Sequence, residues 1–163
     1  MEILLVDDDR ECLKELVHII EPAGHRCRAF QSTAAAVAEP LAAFDVVITE
    51  WKKPQLDGLA VLDAVRERQW SAKVIILTGY GDVEGALAAS QYGAYAFLCK
   101  PVRREALLET LAEISQDVKR RNWEKKEWEK KVKEYRRLKK AYDDIMTLLD
   151  SSEPLAEKPP VQG

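Results

Sequence analysis

Short apolar runs alternate with longer segments of mixed polarity through the first hundred residues. The clearest are residues 3–6 (ILLV), 46–49 (VVIT) and 74–77 (VIIL), with weaker ones at 27–30 and 95–98. Four apolar residues in a row, without a polar alternate, predict strands buried on both faces. After the first run, Cys12, Leu13, Leu16, Val17, Ile19 and Ile20 recur at helical spacing until Pro22 and Gly24 stop them. The later runs are separated by helix-length polar or Ala-rich stretches. Strand alternating with helix predicts an α/β domain, a doubly wound sheet of five parallel strands with helices on both faces.

From Arg103 the rhythm changes. Leu107, Leu111, Ile114 and Val118 step as heptads do; Arg121 and Lys125 occupy the same seam, and Trp128, Val132 and Tyr135 resume it. Leu138, Tyr142, Ile145 and Leu149 continue after one three-residue slip, a stammer. No Gly or Pro interrupts residues 102–153. A helix this long and this polar does not stand alone in water, so the pattern predicts pairing with a second copy. Residues 151–163, with Pro154, Pro159, Pro160 and little apolar material, read as a disordered tail. The expected organisation is therefore a domain over 1–102, a helix and coiled coil over 103–150, and a tail.

Charge sharpens the division. The 163 residues carry a net charge of only −3, yet twelve Lys or Arg stand against four Glu between Lys119 and Lys140, while residues 1–102 are net acidic. Most such runs are solvated helix faces with i,i+4 pairing, as Glu127 with Lys131 and Glu129 with Lys133 allow. The interleaved acids and the lack of a following helix-turn-helix pattern argue against nucleic acid. Cys12, Cys27 and Cys99 form no CxxC pair, which suits a reduced cytoplasm. Asp7, Asp8 and Asp9 break the early apolar run before it resembles a signal core, and no run approaches the roughly 18 apolar residues of a membrane helix.

Candidate chemistry gathers at strand ends. Asp7 and Asp8 follow the first strand, Glu50 closes the third, Thr78 closes the fourth and Lys100 follows the fifth. Open α/β sheets bind ligands at that edge. Two adjacent acids at a strand end call for a cation or for Lys100. Asp9, Asp45, Asp57 and Asp82 read as caps or turn residues, and His18 and His25 have no partner at metal spacing. No Ser, His and Asp arrangement and no glycine-rich phosphate loop is present, so an enzyme is not expected.

The segments ILLVDDD, ITEWKKPQLDG with Pro54, ILTGYGD with Thr78, and GAYAFLCKP with Lys100 and Pro101 resemble, over residues 1–102, the receiver domain of bacterial two-component response regulators. The resemblance implies the flavodoxin-like fold and a phosphorelay role. An aspartate at the Glu50 position would accept a phosphoryl group from a histidine kinase. Mg²⁺ would lie among Asp8, the Glu50 carboxylate and the backbone carbonyl of Lys52, with Asp7 in support. Lys100 would hold phosphoryl oxygens, and Thr78 would report their arrival. Phe97 matches the family's rotating aromatic, or is a core ring that never moves.

Glu50 departs from that pattern. One added methylene displaces the carboxylate, and a misplacement near 1 Å costs on the order of 10²-fold in rate. The preferred reading is a pseudo-receiver that is not phosphorylated and works through dimerisation and protein partners. A Glu50 carboxylate lying between Lys100 and Thr78 would partly mimic the phosphorylated state. The alternatives are an active stand-alone regulator that still binds Mg²⁺ and accepts phosphate, and a DNA-associated regulator using the basic helix. In related regulators such a helix leads to an output domain, and none is present in this sequence. Neither the seam nor its flanking charges, read from sequence, choose parallel over antiparallel pairing.

Overall fold

The computed structural model describes residues 1–40, 43–53, 56–67, 71–79 and 93–150, without the side chains of 52–59 and 150. The elements are β1 (Glu2–Val6), α1 (Arg10–Ile20), β2 (Arg26–Phe30), α2 (Thr33–Val37), β3 (Val46–Glu50), the two-residue strands β4 (Lys52–Lys53) and β5 (Leu56–Asp57), α3 (Gly58–Glu67), β6 (Lys73–Thr78), β7 (Ala96–Cys99) and α4 (Arg104–Asp150). Five strands form one sheet in the order β2-β1-β3-β6-β7. Every pairing in it is parallel, with Ile3 beside Val46, Ile48 beside Ile75 and Ile76 beside Phe97. The fold class expected from the alternating pattern is the one observed.

Side chains alternate across the sheet with the period of two, which explains why the central strands are apolar throughout. Leu4, Val6, Val47 and Ile76 face Val61, Leu62 and Val65 of α3. Ile3, Leu5, Ile48, Ile75 and Leu77 face Leu13, Leu16 and Ile20 of α1 and Leu107, Leu111, Ile114 and Val118 of α4. Each fully buried Leu or Ile contributes roughly 1.5–3 kcal/mol. The outer strand β2 has only one covered neighbour, and Arg26, Arg28 and Ala29 there are exposed.

Local chemistry sets the helix ends. Asp9 is the N-cap of α1, its carboxylate accepting the backbone N–H groups of Glu11 and Cys12. A single 3₁₀ turn, Glu21–Ala23, holds Pro22, and Gly24 closes it at φ 85°, where a side chain would be strained. Asp45, in the bend before β3, accepts the Glu2 N–H at 3.0 Å, a long-range bond to the start of β1. Asp57 ends β5 immediately before α3 begins at Gly58. Pro54, Asp82 and the tail 151–163 lie outside the described residues.

The chain divides into two compact units, Met1–Val118 and Lys119–Gly163. The first extends past residue 102 because the opening turns of α4 bury their apolar stripe on the sheet. In the second, Trp123, Trp128, Tyr135, Leu138, Tyr142, Ile145 and Leu149 are all exposed. Among the described residues, no helix is long and apolar enough to cross a membrane.

Candidate functional site

Three backbone hydrogen bonds tie the strand ends that carry the site. The Asp7 N–H donates to the Phe30 carbonyl at 3.1 Å, Trp51 N–H to Leu77 at 2.7 Å, and Lys100 N–H to Thr78 at 2.8 Å. Residues far apart in sequence therefore meet at one edge. The Lys100 ammonium lies 2.5 Å from Asp7 Oδ2 and 3.1 Å from Glu50 Oε2. Asp7 is fully buried, and Glu50 is 6% exposed. Two carboxylates withdrawn from water beside one another require such a cation.

Burial pushes the Asp7 carboxyl up, but the Lys100 hydrogen bond, the Asp9 N–H at 2.9 Å and the Lys100 charge outweigh it, holding Asp7 below the usual carboxylate range. Burial acts to lower the Lys100 pKa; the hydrogen bond and charge of Asp7, helped by Glu50, outweigh that and raise it. Cys12 packs next to Asp7, and burial followed by the Asp7 charge pushes its thiol up to about 12, which disfavours the thiolate.

Asp7, Asp8 and Glu50 form an all-oxygen group whose ligand atoms lie within 4.8 Å of one another. Mg²⁺ holds oxygens at about 2.0–2.1 Å, so two oxygens on one ion are at most about 4.2 Å apart. That spacing lies close to the range, and the all-oxygen donors suit a hard cation. Thr78 closes β6 as expected, but its hydroxyl donates to the Gly79 carbonyl at 3.3 Å. Phe97 is half-buried against the core and meets the Trp51 ring edge-on, with centroids 6.2 Å apart and planes at 63°. Pro101 follows a cis peptide bond after Lys100. Lys52 lies in the short β4 ladder opposite Asp57.

Trp51 is the contact that reading the sequence missed. It is buried, it follows Glu50 directly, and its ring contacts Phe97. Its signal in the sequence is an aromatic residue beside the polar Lys52 and Lys53. The His25 ring sits 3.4 Å from the N-terminal amine, away from the acidic group.

The family model of the response regulator receiver domain matches residues 3–112. The chain belongs to the response regulator receiver family. The receiver is 34% identical over 109 residues to the C4-dicarboxylate transport transcriptional regulatory protein DctD of Rhizobium meliloti, covering 66% of this chain and 24% of that one. It is 36% identical over 101 residues to the photosynthetic apparatus regulatory protein RegA of Rhodobacter capsulatus, covering 61% of this chain and 54% of RegA. A response regulator receiver domain protein from Clostridium thermocellum superposes with a TM-score of 0.67 at 30% identity, over 72% of this chain and 96% of that one. The receiver spans about a quarter of the length of DctD and of similar curated relatives. Receiver domains are signalling modules rather than enzymes, and they bind Mg²⁺ at their acidic pocket.

Proposed function

We propose that this receiver is a phosphorelay module whose acceptor position is filled by the Glu50 side chain instead of a phosphorylatable aspartate, and that it acts through a second copy of itself and protein partners. The observation that carries the reading is the buried contact of Lys100 with Glu50 and Asp7. Lys100 is the residue that would hold phosphoryl oxygens, and here it already holds two carboxylates.

Phosphoryl transfer depends almost wholly on positioning and charge stabilisation. The extra methylene of Glu50 carries its carboxylate into the volume an incoming phosphoryl group needs. Glu50 supplies one negative charge where a phosphate supplies roughly two. The contact with Lys100 thus resembles the phosphorylated arrangement at reduced strength. Asp8, Glu50 and the backbone carbonyl of Lys52 would hold Mg²⁺, supported by Asp7. When bound, the ion neutralises charge between acceptor and phosphate.

Cys12, Cys27 and Cys99 are free thiols, which supports a reduced cytoplasmic setting. The cognate partners belong to the classes that receivers meet, a histidine kinase or a downstream protein. The acidic group itself favours one competing reading, a working regulator that takes Mg²⁺ and is phosphorylated on Glu50.

Intact mass after incubation with Mg²⁺ and a small acyl phosphate separates the two. The expected result is no phosphoryl gain by the natural chain and a gain by Glu50→Asp. A phosphorylated natural chain overturns the proposal.

A further inference from the structure

The stripe along α4 is divided by use. Leu107, Leu111, Ile114 and Val118 are spent on the sheet and Arg121 is half-buried, while beyond it the large seam side chains among the described residues are exposed: Trp128 is 68% and Ile145 56% exposed. Only positions 121–149 remain to meet a partner, and their spacing has a symmetry that the full-length stripe hides. Counting from Tyr135 toward the N-terminus, the seam steps by 3, 4, 3 and 4 to Val132, Trp128, Lys125 and Arg121. Counting toward the C-terminus it steps by 3, 4, 3 and 4 to Leu138, Tyr142, Ile145 and Leu149. The stammer lies at the centre of a palindrome.

We infer that this segment docks on a second copy of itself in antiparallel orientation, with the twofold axis at Tyr135. The inference rests on the dimerisation part of the proposed function and gives it a geometry. Antiparallel pairing places Lys125 opposite Ile145, Arg121 opposite Leu149, Trp128 opposite Tyr142 and Tyr135 on its own copy. The long basic side chains lie with their stems over Leu and Ile and their heads toward Asp143 and Asp144 of the other copy.

Once burial of Leu107, Leu111, Ile114 and Val118 restricts the seam to its second part, which the full-length stripe did not allow, the charges beside it favour the same orientation, since flanking positions set helix direction. In a parallel, in-register pair, Arg121 and Lys125 each face themselves inside the seam. Each flanking residue before the seam then meets the one after it in the next heptad, which brings Glu124 to Glu129 and Lys131 to Arg136. These contacts join like charges, and Glu134 with Lys139 is the one opposite-charge meeting of the parallel arrangement. Antiparallel pairing ends the self-facing of Arg121 and Lys125, brings Glu129 beside Lys139, and leaves like-charge meetings of Glu134 and of Arg136 with their own copies near the axis.

The test uses the full chain with the exposed Cys99 replaced by Ser. Sedimentation first gives the mass of the natural chain, where a dimer is expected. Lys125→Cys and Ile145→Cys chains are then oxidised separately and as a mixture. A disulfide needs Cα atoms within about 7 Å, and in the antiparallel pair the two residues at position 125 are about 30 Å apart along the axis. The expected result is a covalent dimer from the mixture and none from either chain alone. Covalent dimers from each chain alone, or a dimer that links in neither case, overturn the antiparallel assignment. A monomeric natural chain overturns it together with dimerisation. The phosphoryl-gain measurement reports on Glu50 independently of all three results.

Discussion

The two halves of α4 carry the same spacing of large apolar residues and meet opposite fates. Leu107, Leu111 and Ile114 are fully buried against the sheet, whereas Tyr135, Tyr142 and Leu149 are exposed. Periodicity thus defines a stripe and its direction, but the surface that covers the stripe has to be supplied by something else. In the first unit that surface is Leu5, Ile48, Ile75 and Leu77, four strand residues presented on one face by the pleat. In the second, Tyr135, Tyr142 and Ile145 stay exposed among the described residues.

Substitutions that act on one half and spare the other sharpen this contrast. Leu111→Ala removes a buried side chain where the sheet cannot collapse to fill the space. Unfolding of the first unit should lose about 3 kcal/mol in a denaturant titration, and the acidic site should loosen with it. The same truncation at Leu149 should leave that transition in place.

Next in size is Lys100→Met, which strips the cation from Asp7 and Glu50. We expect a loss of about 2 kcal/mol at neutral pH, below the full cost of breaking a buried pair because Lys100 is partly exposed. The pH profile gives the sign. The Asp7 carboxyl is held down in the folded chain, so its contribution is present above about pH 3.9 and disappears as pH falls through the folded value. Lys100 is raised, so its contribution is complete below about pH 10.4 and disappears as pH climbs through its folded value. Denaturation midpoints across pH should show both arms in the natural chain, and the alkaline arm should shrink in Lys100→Met to the part carried by groups that burial raises, such as the Cys12 and Cys27 thiols.

Ile145→Ala acts only on the second half. It should weaken self-association about tenfold in sedimentation while leaving the unfolding of the first unit unchanged. The smallest effect belongs to Asp9→Ala, which deprives α1 of its N-cap. It should cost about 1 kcal/mol in the same titration and alter neither mass nor phosphoryl gain.

The fold was legible because its central strands have no polar alternates. ILLV, VVIT and VIIL have no arrangement that satisfies them except burial on both faces. The outer strands were harder to bound, since Arg26 and Arg28 at one edge and Cys99 at the other face solvent and leave weak patterns. The five-residue helix Thr33–Val37 was visible only as an Ala-rich stretch. Of the candidate site, Asp7, Asp8, Glu50 and Lys100 were legible because strand ends converge in any open parallel sheet. Which acid Lys100 would hold most closely was not, because that depends on the depth at which each side chain enters the edge. The sequence left Lys100 to either the Asp7–Asp8 pair or Glu50; it contacts Asp7 and Glu50, Asp7 more closely. Trp51 was missed for a related reason: nothing local says that the residue after an acidic strand end turns inward.

The Lys100–Glu50 contact has a consequence in time. A phosphoryl group on a carboxylate is a mixed anhydride that water removes, so a receiver carrying one keeps a clock and must be reset. A carboxylate that belongs to the side chain cannot leave. If Glu50 holds this receiver's state, that state lasts as long as the polypeptide, and its amount changes only through synthesis, degradation or capture by a partner.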